Sequence, residues 1–109
     1  MGFLPVSALP ARDLERRLDA GDSLVLVDVR TPAERAICAI EGSRLLDQEE
    51  RNRLAALPKD TPIVFICHHG VRSMAAAVRY AAMGYSELYN LTGGIEAWAR
   101  DVEPEMPRY

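Results

Sequence analysis

Two short apolar runs dominate the hydrophobic pattern. Leu24-Val25-Leu26-Val27 leads into Asp28-Val29-Arg30, and Ile63-Val64-Phe65-Ile66 leads into Cys67. Neither run alternates with polar residues, so neither offers a face to water. Runs of this length suit strands covered on both sides, as in a parallel sheet. Around them the spacing is helical. A first helix is expected over Leu9–Ala20, with Leu14 and Leu18 on one face and Gly21 closing it. A helical turn starts at Pro32, and Asp47 with Glu50 has the spacing of a capping pair that opens a helix toward Leu57. Pro58-Lys59-Asp60 marks a turn. Ser73 is placed to cap a helix running through Met83 and ended by Gly84, with Ala75-Ala76-Ala77 as a close-packed face. Leu88–Leu91 reads as a further short strand and Gly93-Gly94 as a turn. Ile95 and Trp98 mark the core side of a last helix.

Strands and helices in alternation predict an α/β fold with a central, mostly parallel sheet flanked by helices. The chain of 109 residues fits one domain, residues 1–109. Residues 102–109 carry Pro104 and Pro107 and are expected to form a flexible tail. In open parallel sheets ligands bind beyond the carboxyl ends of strands, and Asp28 and Cys67 both sit at such ends.

Composition removes several classes of function. The formal net charge is -3, so no basic surplus exists to neutralise phosphates, and nucleic acid is not an expected partner. No stretch approaches the ~20 apolar residues of a membrane span, and no membrane partner is expected. Met1–Val6 lacks the regions of a signal peptide, and Val6 stands where a myristoylation pattern requires Ser or Thr. The expected location is the cytoplasm. Cys38 and Cys67 are too few for a disulfide framework, so each is expected to be buried or reactive.

The candidate chemistry lies in Cys67-His68-His69-Gly70-Val71-Arg72-Ser73. A thiolate is the nucleophile, so a working cysteine needs a depressed pKa. The helix start after Cys67 presents unpaired N–H groups and partial positive charge. Gly70 lets the loop curl so that successive amides point inward as an anion cradle. Arg72, with His68 and His69 when protonated, adds positive charge. Thiolates in such settings have pKa values of roughly 3.5–7.5. Two histidines, a glycine and an arginine after a buried strand are poor core material, which favours a functional cysteine over a structural one. The same histidines lack the spacing of structural zinc ligands, and no metal is expected.

Cys67–Ser73 resembles the active-site loop of the rhodanese family, a C-x-x-G-x-[RS]-S pattern. Val27-Asp28-Val29-Arg30 with Pro32 and Glu34 resembles the family's first signature, Leu57–Pro62 the approach to the active-site strand, and Gly93-Gly94-Ile95-Glu96-Ala97-Trp98 the C-terminal signature. The resemblance covers nearly the whole chain. It implies a three-layer rhodanese-like domain and a small single-domain sulfurtransferase. It implies that Cys67 takes a sulfane sulfur from a small anionic donor such as thiosulfate. The resulting persulfide would pass sulfur to cyanide or to a thiol acceptor, either a small molecule or a protein. Backbone amides from His68 to Ser73 would hold the sulfur, Arg72 would attract the donor, and no cofactor is implied.

Cys38-Ala39-Ile40-Glu41-Gly42-Ser43 departs from the family's Gly-His-Ile-Pro-Gly-Ala, keeping only Ile40 and Gly42. Cys38 is open to two readings, a small residue filling a tight spot or a thiol that resolves Cys67. Asp28 and Arg30 are expected to form a buried ion pair supporting the site. Two other functions stay open: a binding or redox-sensing module, and a cysteine-dependent phosphatase. Phosphatase loops are Cys-x5-Arg, whereas Cys67 to Arg72 is Cys-x4-Arg, a smaller ring for a tetrahedral phosphate.

Overall fold

The computed structural model describes residues 5–109. Met1–Leu4, part of the segment read for targeting signals, lie outside the described residues. The elements are β1 (Val6–Pro10), α1 (Ala11–Asp19), β2 (Val25–Asp28), α2 (Pro32–Ile37), β3 (Arg44–Leu45), α3 (Gln48–Ala55), β4 (Ile63–Ile66), α4 (Val71–Ala82), β5 (Leu88–Thr92) and α5 (Gly94–Asp101). The strands form one sheet in the order β1-β5-β4-β2-β3, and every pairing is parallel.

The uninterrupted apolar runs have the environment their pattern demands. All four residues of β4 are buried. Successive side chains point to opposite faces, so Val64 and Ile66 enter one core with Leu14, Leu91, Ile95 and Trp98. Ile63 and Phe65 enter the other with Leu54, Ala77, Tyr80 and Leu88. The sheet therefore lies between a layer holding α1 and α5 and a layer holding α3 and α4. This is the three-layer α/β arrangement the sequence implies.

Local capping agrees with the sequence at α3. Asp47 accepts a hydrogen bond from the Glu50 amide at 2.9 Å. At α2 the Thr31 side chain and Glu34 form a complete capping box ahead of Pro32 at the first turn.

Two expectations need correction. The first helix begins at Ala11, because Val6–Pro10 is a strand. It pairs with β5 in the register Val6↔Leu88 through Pro10↔Thr92. A proline is tolerated there because β1 is an edge strand, with no second ladder asking for its missing N–H. Helix α4 begins at Val71 with Gly70 as its N-cap and no side-chain cap. Ser73 lies inside the first turn, fully buried, and Ala75 of the alanine run is exposed. Residues 102–109, expected to be a flexible tail, are mostly exposed but make defined contacts with the domain. Met106 is buried in the α1–α5 core, and Trp98 Nε1 donates to Glu103 at 2.8 Å. Two prolines in a short segment suggest a loose end, but Met106 finds apolar surface and anchors it.

Candidate active site

The carboxyl ends of β2 and β4 are neighbours, with Asp28 opposite Ile66 in the ladder. Asp28, Arg30 and the Cys67 loop are thereby brought to one edge of the sheet. Cys67 is the first residue after β4 and is 1% exposed. Its carbonyl accepts from the Ile95 amide at 2.8 Å, and the His68 carbonyl accepts from the Glu96 amide at 3.1 Å. The amino-terminal turn of α5 thus pins both carbonyls, which leaves the loop amides free to face the sulfur. The approach is close. A Cβ on Gly94 would sit 2.3 Å from the His68 carbonyl oxygen and 2.6 Å from that of Cys67. Gly70 turns the chain at φ +98°, a conformation that favours glycine.

The turn directs donors at Cys67 Sγ. The Gly70 N–H approaches at 3.0 Å and the Ser73 hydroxyl at 3.2 Å. Burial alone would push the thiol pKa up. The Ser73 hydroxyl and the backbone amides of Ser73, Gly70 and His69 outweigh it, and the net direction is downward. This loop combines a cysteine, inward amides and a helix start, the setting in which thiolates are stable.

The other loop residues take up different positions. His68 is packed between two rings, those of His69 and Tyr109, each with centroids 3.9 Å away. Burial first, then the neighbouring His69, holds the His68 pKa below its usual value. This direction favours the neutral imidazole. Val71 points outward and is 77% exposed, so it lines no cradle.

Arg72 also departs from expectation. Its guanidinium forms a two-point pair with Glu34, with N–O distances of 2.8 Å and 2.8 Å. These bonds hold the Glu34 carboxyl well below the usual carboxylate range, so the pair is charged at neutral pH. Arg72 does not extend into the site as an unpaired cation. Tyr109 joins the pair, its hydroxyl donating to Glu34 at 2.9 Å and accepting from Arg30 at 2.9 Å.

Asp28 and Arg30 form the buried ion pair expected of them, with Arg30 Nη2 2.7 Å from Asp28 Oδ2. Arg30 Nη2 also donates to the Cys38 carbonyl at 2.7 Å, and Arg35 donates to Asp28 at 3.0 Å. Arg35 further reaches the Ser43 hydroxyl and carbonyl, at 2.8 Å and 2.6 Å. This ties down the divergent 38–43 segment. Cys38 is buried in the α1–α5 core, 3.9 Å from Arg30 Nη1, and both cysteines are free thiols.

Sequence reasoning gave no site role to three participants. Glu34 carried a readable signal, since Thr31-Pro32-Ala33-Glu34 is a capping-box pattern, but its reach to Arg72 spans 38 residues. Asn90, a single amide in an apolar strand, was legible as an oddity. Its Nδ2 donates to the Gly70 carbonyl at 3.0 Å and its Oδ1 accepts from Ser73 at 2.5 Å. Tyr109 had no signal at all.

The comparisons agree with this architecture. The family model described as Rhodanese-like domain matches residues 10–101, so the chain belongs to the rhodanese-like domain family. It is 40% identical over 106 residues to the probable adenylyltransferase/sulfurtransferase MoeZ of Mycobacterium tuberculosis, covering 94% of this chain and 27% of that protein. The chain thus spans about a quarter of that relative's length. It is also 40% identical over 80 residues to the thiosulfate sulfurtransferase GlpE of Pseudomonas aeruginosa, with 72% of each chain covered. Among solved structures, a rhodanese-like domain protein from Staphylococcus aureus superposes with a TM-score of 0.70. Its identity is 28%, with 85% of this chain and 91% of that chain covered. Among the described residues no helix is long and apolar enough to cross a membrane.

Proposed function

We propose that the protein is a rhodanese-type sulfurtransferase that carries sulfane sulfur on Cys67. The observation that carries this reading is the set of donors aimed at one buried sulfur: the Gly70 N–H at 3.0 Å and the Ser73 hydroxyl at 3.2 Å. A thiolate held this way is the nucleophile the reaction needs, and the same donors fit the charge of a persulfide. The relatives named as sulfurtransferases support the class of reaction.

In the first half-reaction the Cys67 thiolate attacks the outer sulfur of thiosulfate. A Cys67–sulfur bond forms, the donor's sulfur–sulfur bond breaks, and sulfite leaves with the electron pair. In the second, cyanide attacks the outer sulfur of the persulfide, thiocyanate leaves, and the Cys67 thiolate is restored. A thiolate acceptor takes the same sulfur and becomes a persulfide itself. Because Arg72 is held by Glu34, the donor's charge is met by the loop amides and the amino-terminal end of α4. No bond made or broken in either half-reaction calls on a metal or organic cofactor.

The test is thiocyanate formation from thiosulfate and cyanide by the wild type and by Cys67→Ser. Turnover is expected with the wild type and absent with the variant. Equal rates in the two would overturn the assignment of Cys67.

A further inference from the structure

Ser73 holds one hydroxyl proton and faces two acceptors. Asn90 Oδ1 lies at 2.5 Å and Cys67 Sγ at 3.2 Å. Ser73 is 0% exposed and Asn90 7% exposed, so water is a poor substitute for either partner. The orientation of the Asn90 amide is set by its other end, which donates to the Gly70 carbonyl at 3.0 Å. Turned over, the amide would set two oxygens against each other at Gly70. The hydroxyl therefore serves Asn90 or the sulfur, one at a time.

The two states of Cys67 ask for different choices. A thiol has its own proton and donates it to the Ser73 oxygen, and the Ser73 hydroxyl then donates to Asn90. A thiolate has no proton to give and takes the Ser73 hydroxyl as a donor, so Asn90 Oδ1 loses its partner. Only the direction of the hydroxyl changes; its proton stays on Ser73. The buried amide oxygen is the group that bears the loss, since an unpaired buried acceptor is costly.

Given Cys67 as the nucleophile, we propose that Asn90 is a positioning residue that acts on the sulfur through Ser73. Its carboxamide oxygen competes with Cys67 for the one hydroxyl proton, while its nitrogen, bonded to the Gly70 carbonyl, keeps that oxygen turned toward Ser73. Asn90 touches neither donor nor acceptor substrate. It sets how readily the resting thiol gives way to the charged sulfur.

The test is the pH profile of Cys67 alkylation by iodoacetamide, in a Cys38→Ser background so that one thiol is read. Four proteins are compared: the background itself, Asn90→Leu, Ser73→Ala, and the double variant. Asn90→Leu frees the hydroxyl for the sulfur. Its profile is expected to move to lower pH, with a rate on the acid limb higher by roughly two- to tenfold, the worth of one hydrogen bond. Ser73→Ala is expected to move the profile to higher pH. In the double variant the Asn90→Leu gain is expected to vanish, because Asn90 acts through a hydroxyl that is gone. An unmoved Asn90→Leu profile, a move to higher pH, or the same gain with and without Ser73 overturns the proposal. Asn90→Ala serves in place of Asn90→Leu if circular dichroism shows that the latter is unfolded.

Alkylation requires no sulfur transfer, so the two readings fail separately. A wild type that shows the expected profiles but gains no sulfur from any donor leaves the role of Asn90 standing and removes the sulfurtransferase. A wild type that gains sulfur while Asn90→Leu changes nothing does the reverse.

Discussion

Gly94→Ala should cost more than its size suggests, because the added methyl meets backbone. At φ +64° the new Cβ would lie 2.3 Å from the His68 oxygen, 2.4 Å from the His68 carbonyl carbon and 2.6 Å from the Cys67 oxygen. Those carbonyls cannot retreat freely, since the Ile95 and Glu96 amides hold them. The left-handed conformation costs a non-glycine residue about 1–2 kcal/mol. Breaking the two carbonyl hydrogen bonds adds ~0.5–1.5 kcal/mol each. The expected loss is about 2–5 kcal/mol, a large part of a stability of ~5–15 kcal/mol. Gly21→Ala is the control: it shares a positive φ of +83°, but its Cβ would meet nothing within 4 Å. Its expected cost is the strain alone, about 1–2 kcal/mol. Urea unfolding at constant slope measures both. Gly94→Ala should also slow Cys67 alkylation at neutral pH, because moving the 67–68 peptide swings the amides off the sulfur, and Gly21→Ala should not. Equal stability losses in the two variants, with unchanged Cys67 reactivity, would refute the close approach of α5 to the loop.

The ion network below the loop gives two further expectations. Asp28→Asn leaves the buried Arg30 guanidinium without its charge partner, and the expected destabilisation by urea unfolding is about 3–5 kcal/mol; a loss under 1 kcal/mol would mean that Arg30 needs no counter-charge. Glu34 is an acid whose folded pKa is depressed by Arg72, so its contribution is present above its unfolded pKa of ~4.3 and is lost as pH falls through the lower folded value. The stability gap between wild type and Glu34→Gln should therefore be constant from pH 7 to pH 5 and narrow progressively below about pH 4. A gap that does not narrow between pH 5 and pH 3 would contradict the Glu34–Arg72 pairing.

What the chain reveals of itself depends on how far a contact reaches. The buried runs at β2 and β4 were plain because both faces of each strand are covered, and periodicity records that directly. The Asp47 cap was plain because cap and amide are three residues apart. Strand β1 was not, because Val6–Pro10 becomes a strand only by pairing with Leu88–Thr92. The cysteine loop was legible as a set of residue types. The division of labour within it was not, because Glu34, Asn90 and Tyr109 come from three distant segments. Arg72 looked like a lone cation until Glu34 stood opposite it. Ser73 looked like a cap because a polar residue near a helix start usually is one. Gly70 already ends the turn, which moves Ser73 one turn inward and onto the sulfur.

The most direct measurement is the intact mass of the protein after incubation with thiosulfate, for wild type and Cys67→Ser. The expected result is a gain of one sulfur atom by the wild type, removed by cyanide, and no gain by the variant. A wild type that gains no sulfur from thiosulfate or from other sulfane donors, or a variant that gains as much, would contradict a persulfide on Cys67.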